Sequence, residues 1–77
     1  MVFAGVLLKI DAARSKEILN EIKEIKEVKN AFLVFGRYDM VAMLEAESVE
    51  EIGRIVIEKI AKIPGIKSTE TLIAATF

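Results

Sequence analysis

The sequence predicts an α+β domain in which a four-stranded antiparallel sheet carries two helices on one face. Three observations lead there. Four apolar runs rich in valine, isoleucine, leucine and phenylalanine are bounded by turn residues. Two intervening segments repeat their apolar residues at helical spacing. The order along the chain is strand, helix, strand, strand, helix, strand, a split βαβ arrangement.

Each element has its own signal. Met1 to Ile10, "MVFAGVLLKI", is apolar at both alternating sets of positions, as a strand buried above and below would be, and Asp11 ends it. From Ser15 to Lys26, "SKEILNEIKEIK", the residues Ile18, Leu19, Ile22 and Ile25 fall on one side of a helix. Lys16, Glu17, Glu21, Lys23 and Glu24 occupy the other, which is the pattern of a surface helix packed on one face. "VKNAFLVFG" (Val28 to Gly36) and "DMVAMLEA" (Asp39 to Ala46) are strand-like runs separated by Arg37 and Tyr38, the spacing of a tight hairpin.

Ser48 with Glu51 has the form of a capping box, so a second helix is expected from there to about Ile63. Its inward residues are Val49, Ile52, Ile55, Val56 and Ile60. Glu50, Arg54, Glu58 and Lys62 make an outer ladder of alternating sign, a solvated face. Gly53 inside this helix is unfavourable relative to alanine, and close approach of a neighbouring element is its expected reason. Pro64 and Gly65 stop the helix, and "IKSTETLIAATF" supplies the last strand. The whole is the ferredoxin-like βαββαβ sandwich.

Composition narrows the chemistry. The 77 residues form one domain, 1–77, whose own core is small enough that a partner subunit is the expected source of further stability. There is no cysteine and no histidine, which removes disulfides, thiolate or imidazole metal sites and thiol or imidazole catalysis. No metal or cofactor is expected. The formal net charge is −1 with lysine and glutamate interspersed, so no basic block is available to neutralise phosphates and no direct nucleic-acid contact is expected. The longest apolar run, "VFAGVLL", is far too short for a membrane span and lacks a basic flank. A soluble cytoplasmic protein is the expectation. The enrichment in isoleucine, lysine and glutamate, with no glutamine, points to a thermophile. No nucleophile–base pair is recognisable from spacing, so an enzyme is not expected.

Two helices cover one face of the sheet, and the other face should then be polar. It is not. Both alternating sets are apolar in the first strand and in both hairpin strands, which leaves a patch larger than soluble monomers usually expose. An oligomer with sheets packed face to face follows.

The hairpin itself carries more chemistry than a turn needs, with Arg37 and Tyr38 between Gly36 and Asp39. In the usual strand order the hairpin turn and the start of the last strand lie at the same end of the sheet, roughly 14 Å apart. A small ligand cannot easily touch both within one subunit, whereas an oligomer could bring one subunit's turn against another's last strand.

"VFGRYDMV" followed by "IPGIKSTETLI" resembles the regulatory domain of the leucine-responsive/asparagine-operon (Lrp/AsnC, feast/famine) regulators, whose signature is Gly-x-Tyr-Asp after the second strand and a Ser-Thr-Glu-Thr start to the fourth. The likeness covers essentially the whole chain and looks like a stand-alone version without the helix-turn-helix domain. It implies an amino-acid-sensing transcription-regulator module. Such a module dimerises through its sheets, assembles dimers into a ring and binds a free amino acid between dimers, alone or with full-length family regulators. The motifs then assign Gly36, Tyr38, Asp39, Thr69 and Thr71 to the ligand. Asp39 suits an ammonium, the surroundings of Gly36, Thr69 and Thr71 suit a carboxylate, and Tyr38 covers it. The apolar surroundings favour an aliphatic amino acid or methionine, with Met40 widening an apolar subsite.

Structural readings compete at each position. Asp39 serves equally as turn chemistry, Tyr38 as an interface aromatic, and Thr69 and Thr71 as ordinary strand residues. The alternative for the whole chain is a structural oligomerisation module without a small-molecule ligand.

Overall fold

A computed structural model describes residues 1–75 of the chain. Strand β1 (Val2–Ile10) lies at the centre and pairs antiparallel with β3 (Met40–Ala46) on one side and β4 (Ile66–Ile73) on the other. Strand β2 (Val28–Leu33) pairs antiparallel with β3, which gives the order β2-β3-β1-β4 of a ferredoxin-like sheet. The register places Val6 opposite Ala42 and Thr71, and Leu8 opposite Met40 and Thr69. Alternation then sends Ala4, Val6, Leu8 and Ile10 of β1, with Met40, Ala42, Leu44 and Ala46 of β3, into one buried layer. Helix α1 (Ser15–Lys23) and helix α2 (Val49–Ile55) close that layer with Ile18, Ile22, Ile52 and Ile55.

Local chemistry sets the element ends. Asp11 accepts a hydrogen bond from the Ala13 amide at 3.1 Å and caps a short 3-10 turn, Ala12–Arg14, that leads straight into α1. Periodicity gave no sign of this turn. Helix α1 stops at Lys23, short of the expected Lys26, because two tight turns follow. The Ile25 amide bonds the Ile22 carbonyl at 3.1 Å, and the Val28 amide bonds the Ile25 carbonyl at 3.0 Å. These turns bring Val28 opposite Leu44, where β2 must start, while Ile25 still packs against the core.

The Ser48 hydroxyl accepts from the Glu51 amide at 3.1 Å. Among the described residues the return bond of the capping box is not made. Beyond Ile55 the helix widens into a π-helical stretch, Val56–Ile60, closed by the Ala61 amide on the Val56 carbonyl at 2.7 Å. Ile55, Val56 and Ile60 are all buried, and the wider turn brings Ile60 beneath Ile55. Two expectations fail here. Val49, the first helical residue, is 53% exposed instead of buried. A Cβ at Gly53 would meet no atom within 4 Å, so no neighbour among the described residues explains that glycine.

Gly65 has φ +100°, and its carbonyl accepts from the Asp11 amide at 2.9 Å, tying the start of β4 to the end of β1. Strand β4 ends at Ile73; the expected continuation through Thr76 and Phe77 lies outside the described residues. Among the described residues no element covers the second sheet face, where Phe3 is 50% and Leu72 51% exposed, with Phe32 and Met43 exposed beside them.

Candidate functional site

The segment between β2 and β3 is a six-residue loop, 34–39, and not the two-residue hairpin that the spacing suggested. It is closed by the Val34 amide donating to the Asp39 carbonyl at 2.9 Å. Gly36 has φ +127°, and a Cβ there would meet nothing within 4 Å, so the glycine serves backbone conformation and not space.

Asp39 is fastened to β1 twice. Its amide donates to the Leu8 carbonyl at 2.8 Å, and its carboxylate Oδ2 accepts from the Ile10 amide at 3.0 Å. The β1–β3 pairing ends at Leu8 opposite Met40, so the Ile10 N–H has lost its strand partner. The carboxylate takes that partner's place. Its other oxygen, Oδ1, has no hydrogen-bond partner among the described residues.

The Tyr38 hydroxyl donates a hydrogen bond to the Glu70 carboxylate. Glu70 stands opposite Leu7, on the uncovered sheet face, so Tyr38 reaches past β1 to the far edge strand. Two long side chains thus meet across the end of the sheet, over the roughly 14 Å by which strand spacing separates the turn from the last strand. The bond to Glu70 and, after it, partial burial raise the Tyr38 phenol above its ordinary value. Glu70 went unrecognised in the sequence. The signal was its parity: in "STET" it alternates with the threonines and so shares a face with Ser68 and Leu72.

Thr69 and Thr71 lie opposite Leu8 and Val6, hence on the helix side of β4 and not on Tyr38's side. Among the described residues neither hydroxyl bonds the loop. Within one chain, then, Gly36, Tyr38 and Asp39 are brought together, Glu70 joins them, and Thr69 and Thr71 do not.

On the helix side of the loop is an open recess of about 330 Å³. Leu33, Val34 and Phe35 form one wall, Ala12 and Ser15 the other, and Asp39 lies between. Phe35 is 106% exposed, an aromatic with no cover among the described residues. Among the described residues no three carboxylates are placed to hold a metal ion, and no helix is long and apolar enough to cross a membrane.

A ferredoxin-like sandwich of this topology is the fold of regulatory domains in transcription regulators. It superposes on AsnC of E. coli with a TM-score of 0.91 at 26% identity, over 99% of this chain and 52% of that one. With TTHA0845 from Thermus thermophilus the TM-score is 0.94 at 32% identity, over 100% of this chain and 96% of that one.

Residues 1–76 match the Lrp/AsnC ligand binding domain, and the chain belongs to the Lrp/AsnC family. An uncharacterized HTH-type transcriptional regulator of Pyrococcus horikoshii is 33% identical over 94% of this chain and 46% of its own length. The chain spans about half the length of the curated relatives it matches, which are transcriptional regulators and not enzymes. The fold is also shared, at 12% identity and a TM-score of 0.88, by a Neisseria meningitidis transcriptional regulator solved as its L-Met complex, over 97% of this chain and 50% of that one.

Proposed function

We propose that this domain binds a free amino acid through the 34–39 loop and couples that binding to assembly, acting as an effector module in transcription regulation. The observation that carries the reading is the loop's construction. Two bonds from Asp39 and one from Tyr38 hold the loop rigidly against β1 and β4, yet the loop still offers Asp39 Oδ1 to a ligand beside an apolar wall. Rigid scaffolds that present polar groups beside apolar surface are what small-ligand sites need. That the same fold is known with L-Met in the Neisseria protein supports an aliphatic or methionine ligand.

The exposed apolar face of Phe3, Phe32, Met43 and Leu72 supports dimerisation through the sheets. Thr69 and Thr71, whose hydroxyls among the described residues do not bond the loop of their own chain, take part in the ligand site when a ring of dimers sets one chain's β4 against another's loop. The partners are further copies or full-length Lrp/AsnC regulators, in the cytoplasm, and the composition fits a thermophile's protein. A ligand touching two subunits has different affinity for assembled and separate states and shifts assembly accordingly.

A second reading has one specific observation in its favour: Asp39 already holds the Ile10 amide, which is what a purely structural oligomerisation module would require of it. Isothermal calorimetry against each amino acid, with sedimentation velocity in parallel, separates the two. Saturable binding of one or a few, with a shift in sedimentation, is the expected result. A well-defined oligomer that binds none of them would establish the structural module instead.

A further inference from the structure

We propose that the outer flank of α2 and its π-helical continuation pairs, antiparallel, with the same flank of a second copy of this chain. In this contact Ile57 of each copy fills the notch that Gly53 leaves in the other, and a ladder of opposite charges closes beside it. The inference goes beyond the effector reading and stands apart from amino-acid binding, since it involves neither the 34–39 loop nor the uncovered sheet face.

The flank is apolar where the rest of the helix surface is charged. Val49 is 53% and Ile57 68% exposed, and Gly53 stands between them at four-residue steps. Residues so spaced line one side of a helix and form the ridges and grooves through which helices pack. Such a row drifts by roughly 40° per step on a regular helix. The wider π-helical turn from Val56 takes up part of that drift and keeps Ile57 in line. The opposite side of the helix is already engaged, by the Lys59–Glu27 ion pair at 3.1 Å.

Gly53 is the second argument. Glycine is among the least favourable residues inside a helix, yet a Cβ here would meet nothing within 4 Å among the described residues. Seen from outside, it is a gap in the row one side chain deep. An exposed isoleucine four residues further on fits that gap in a second copy only when the two helices run in opposite directions. A parallel pair would set Ile57 against the partner's Ile57 and leave both notches empty.

Charge names the occupant. Beside the row, Glu50, Arg54, Glu58 and Lys62 alternate in sign, and among the described residues none of the four makes an ion pair. Turned end to end against itself, the ladder sets Glu50 near the partner's Lys62 and Arg54 near the partner's Glu58, and each pair occurs twice by symmetry. A parallel copy would set like against like. A ladder that complements its own reverse is what an isologous two-fold contact requires, and opposite charges flanking an apolar seam fix direction and register.

One helix flank is smaller than a stable interface on its own. On subunits joined through their sheets it is present on each, and a second two-fold contact links dimers into larger assemblies.

The chain has no cysteine, so cross-linking reads the contact directly. Gly53→Cys and Ile57→Cys proteins, co-expressed and treated with a mild oxidant, are expected to form disulfide-linked pairs at least about tenfold faster than either protein expressed alone. Only the antiparallel contact brings residue 53 of one copy onto residue 57 of another. Sedimentation velocity supplies a second readout. Arg54→Glu, with its fold checked by circular dichroism, is expected to shift the assembly to smaller species, and Arg54→Glu combined with Glu58→Arg to restore it.

Equal cross-linking in the mixture and in either protein alone overturns the contact, as does rapid linkage of Gly53→Cys by itself, which would mean a parallel pair. An Arg54→Glu protein that sediments as the unaltered one does also overturns it, and leaves the flank to a protein of other sequence. Amino-acid binding by the unaltered protein bears on neither readout, so this inference and the effector reading fail separately.

Discussion

Replacing Asp39 tests whether this carboxylate is part of the architecture before it is part of any site. In Asp39→Ala the Ile10 amide, on a residue only 3% exposed, loses the carboxylate acceptor it has at 3.0 Å. A hydrogen bond to a charged group, with a donor left unpaired when it goes, corresponds to about 2 kcal/mol. For a domain of this size each kcal/mol moves the unfolding midpoint by about 4–8 °C, so a fall of about 8–16 °C is expected.

The two backbone bonds of residue 39, to Leu8 and Val34, survive the substitution, so the loop loosens without detaching. Asp39→Asn keeps an acceptor oxygen for Ile10 and should lose about 1 kcal/mol or less. Thermal and urea unfolding followed by circular dichroism, at one fixed protein concentration because assembly contributes to stability, measures both. An alanine variant within 0.5 kcal/mol of the parent, or an asparagine variant as damaged as the alanine one, would refute the anchoring role. The result also decides how ligand binding is probed: Asn, which preserves the anchor and removes the charge, is the informative substitution.

Other outcomes follow from glycine and from charge. Gly65→Ala forces a side chain onto φ +100° with its Cβ 2.8 Å from Ile18 Cδ1, and should cost about 2 kcal/mol by denaturant unfolding. Gly53→Ala, whose Cβ meets nothing within 4 Å among the described residues, should instead gain about 0.5–1 kcal/mol, and a change in sedimentation would place a neighbouring copy at that surface.

Glu27, whose carboxylate is held below the ordinary 4.5 first by its bond to Lys59, contributes stability present above that value and lost as pH falls through its folded pKa. Lys59→Met should flatten that acid limb. Tyr38, raised above 10.0 by Glu70, stabilises below its unfolded pKa and loses that contribution as pH rises through the folded one. Absorbance titration of the phenol should shift back toward 10.0 in Glu70→Gln, and an unchanged titration would remove the contact.

Much of this molecule was determined by sequence alone because its signals are local. The alternation of β1 and β3, the helical stripe of Ile18 and Ile22 and the Ser48 cap each depend on residues a few positions apart, and each appears in the structure, whereas the second helix ends at Ile60, before the Pro64-Gly65 stop. The uncovered apolar face was equally legible, since it needs only parity and the number of helices.

Other features were decided by contacts across the fold. Helix α1 ends early because Val28 must meet Leu44. The hairpin opens to six residues because Asp39 is drawn onto β1, and Tyr38 finds Glu70 because β4 lies beside β1 in that register. The recess exists only where the loop faces the first turn of α1. Sequence specifies which side of a strand a residue occupies; which residues then face one another depends on register between strands distant in the chain, and only the tertiary structure sets that.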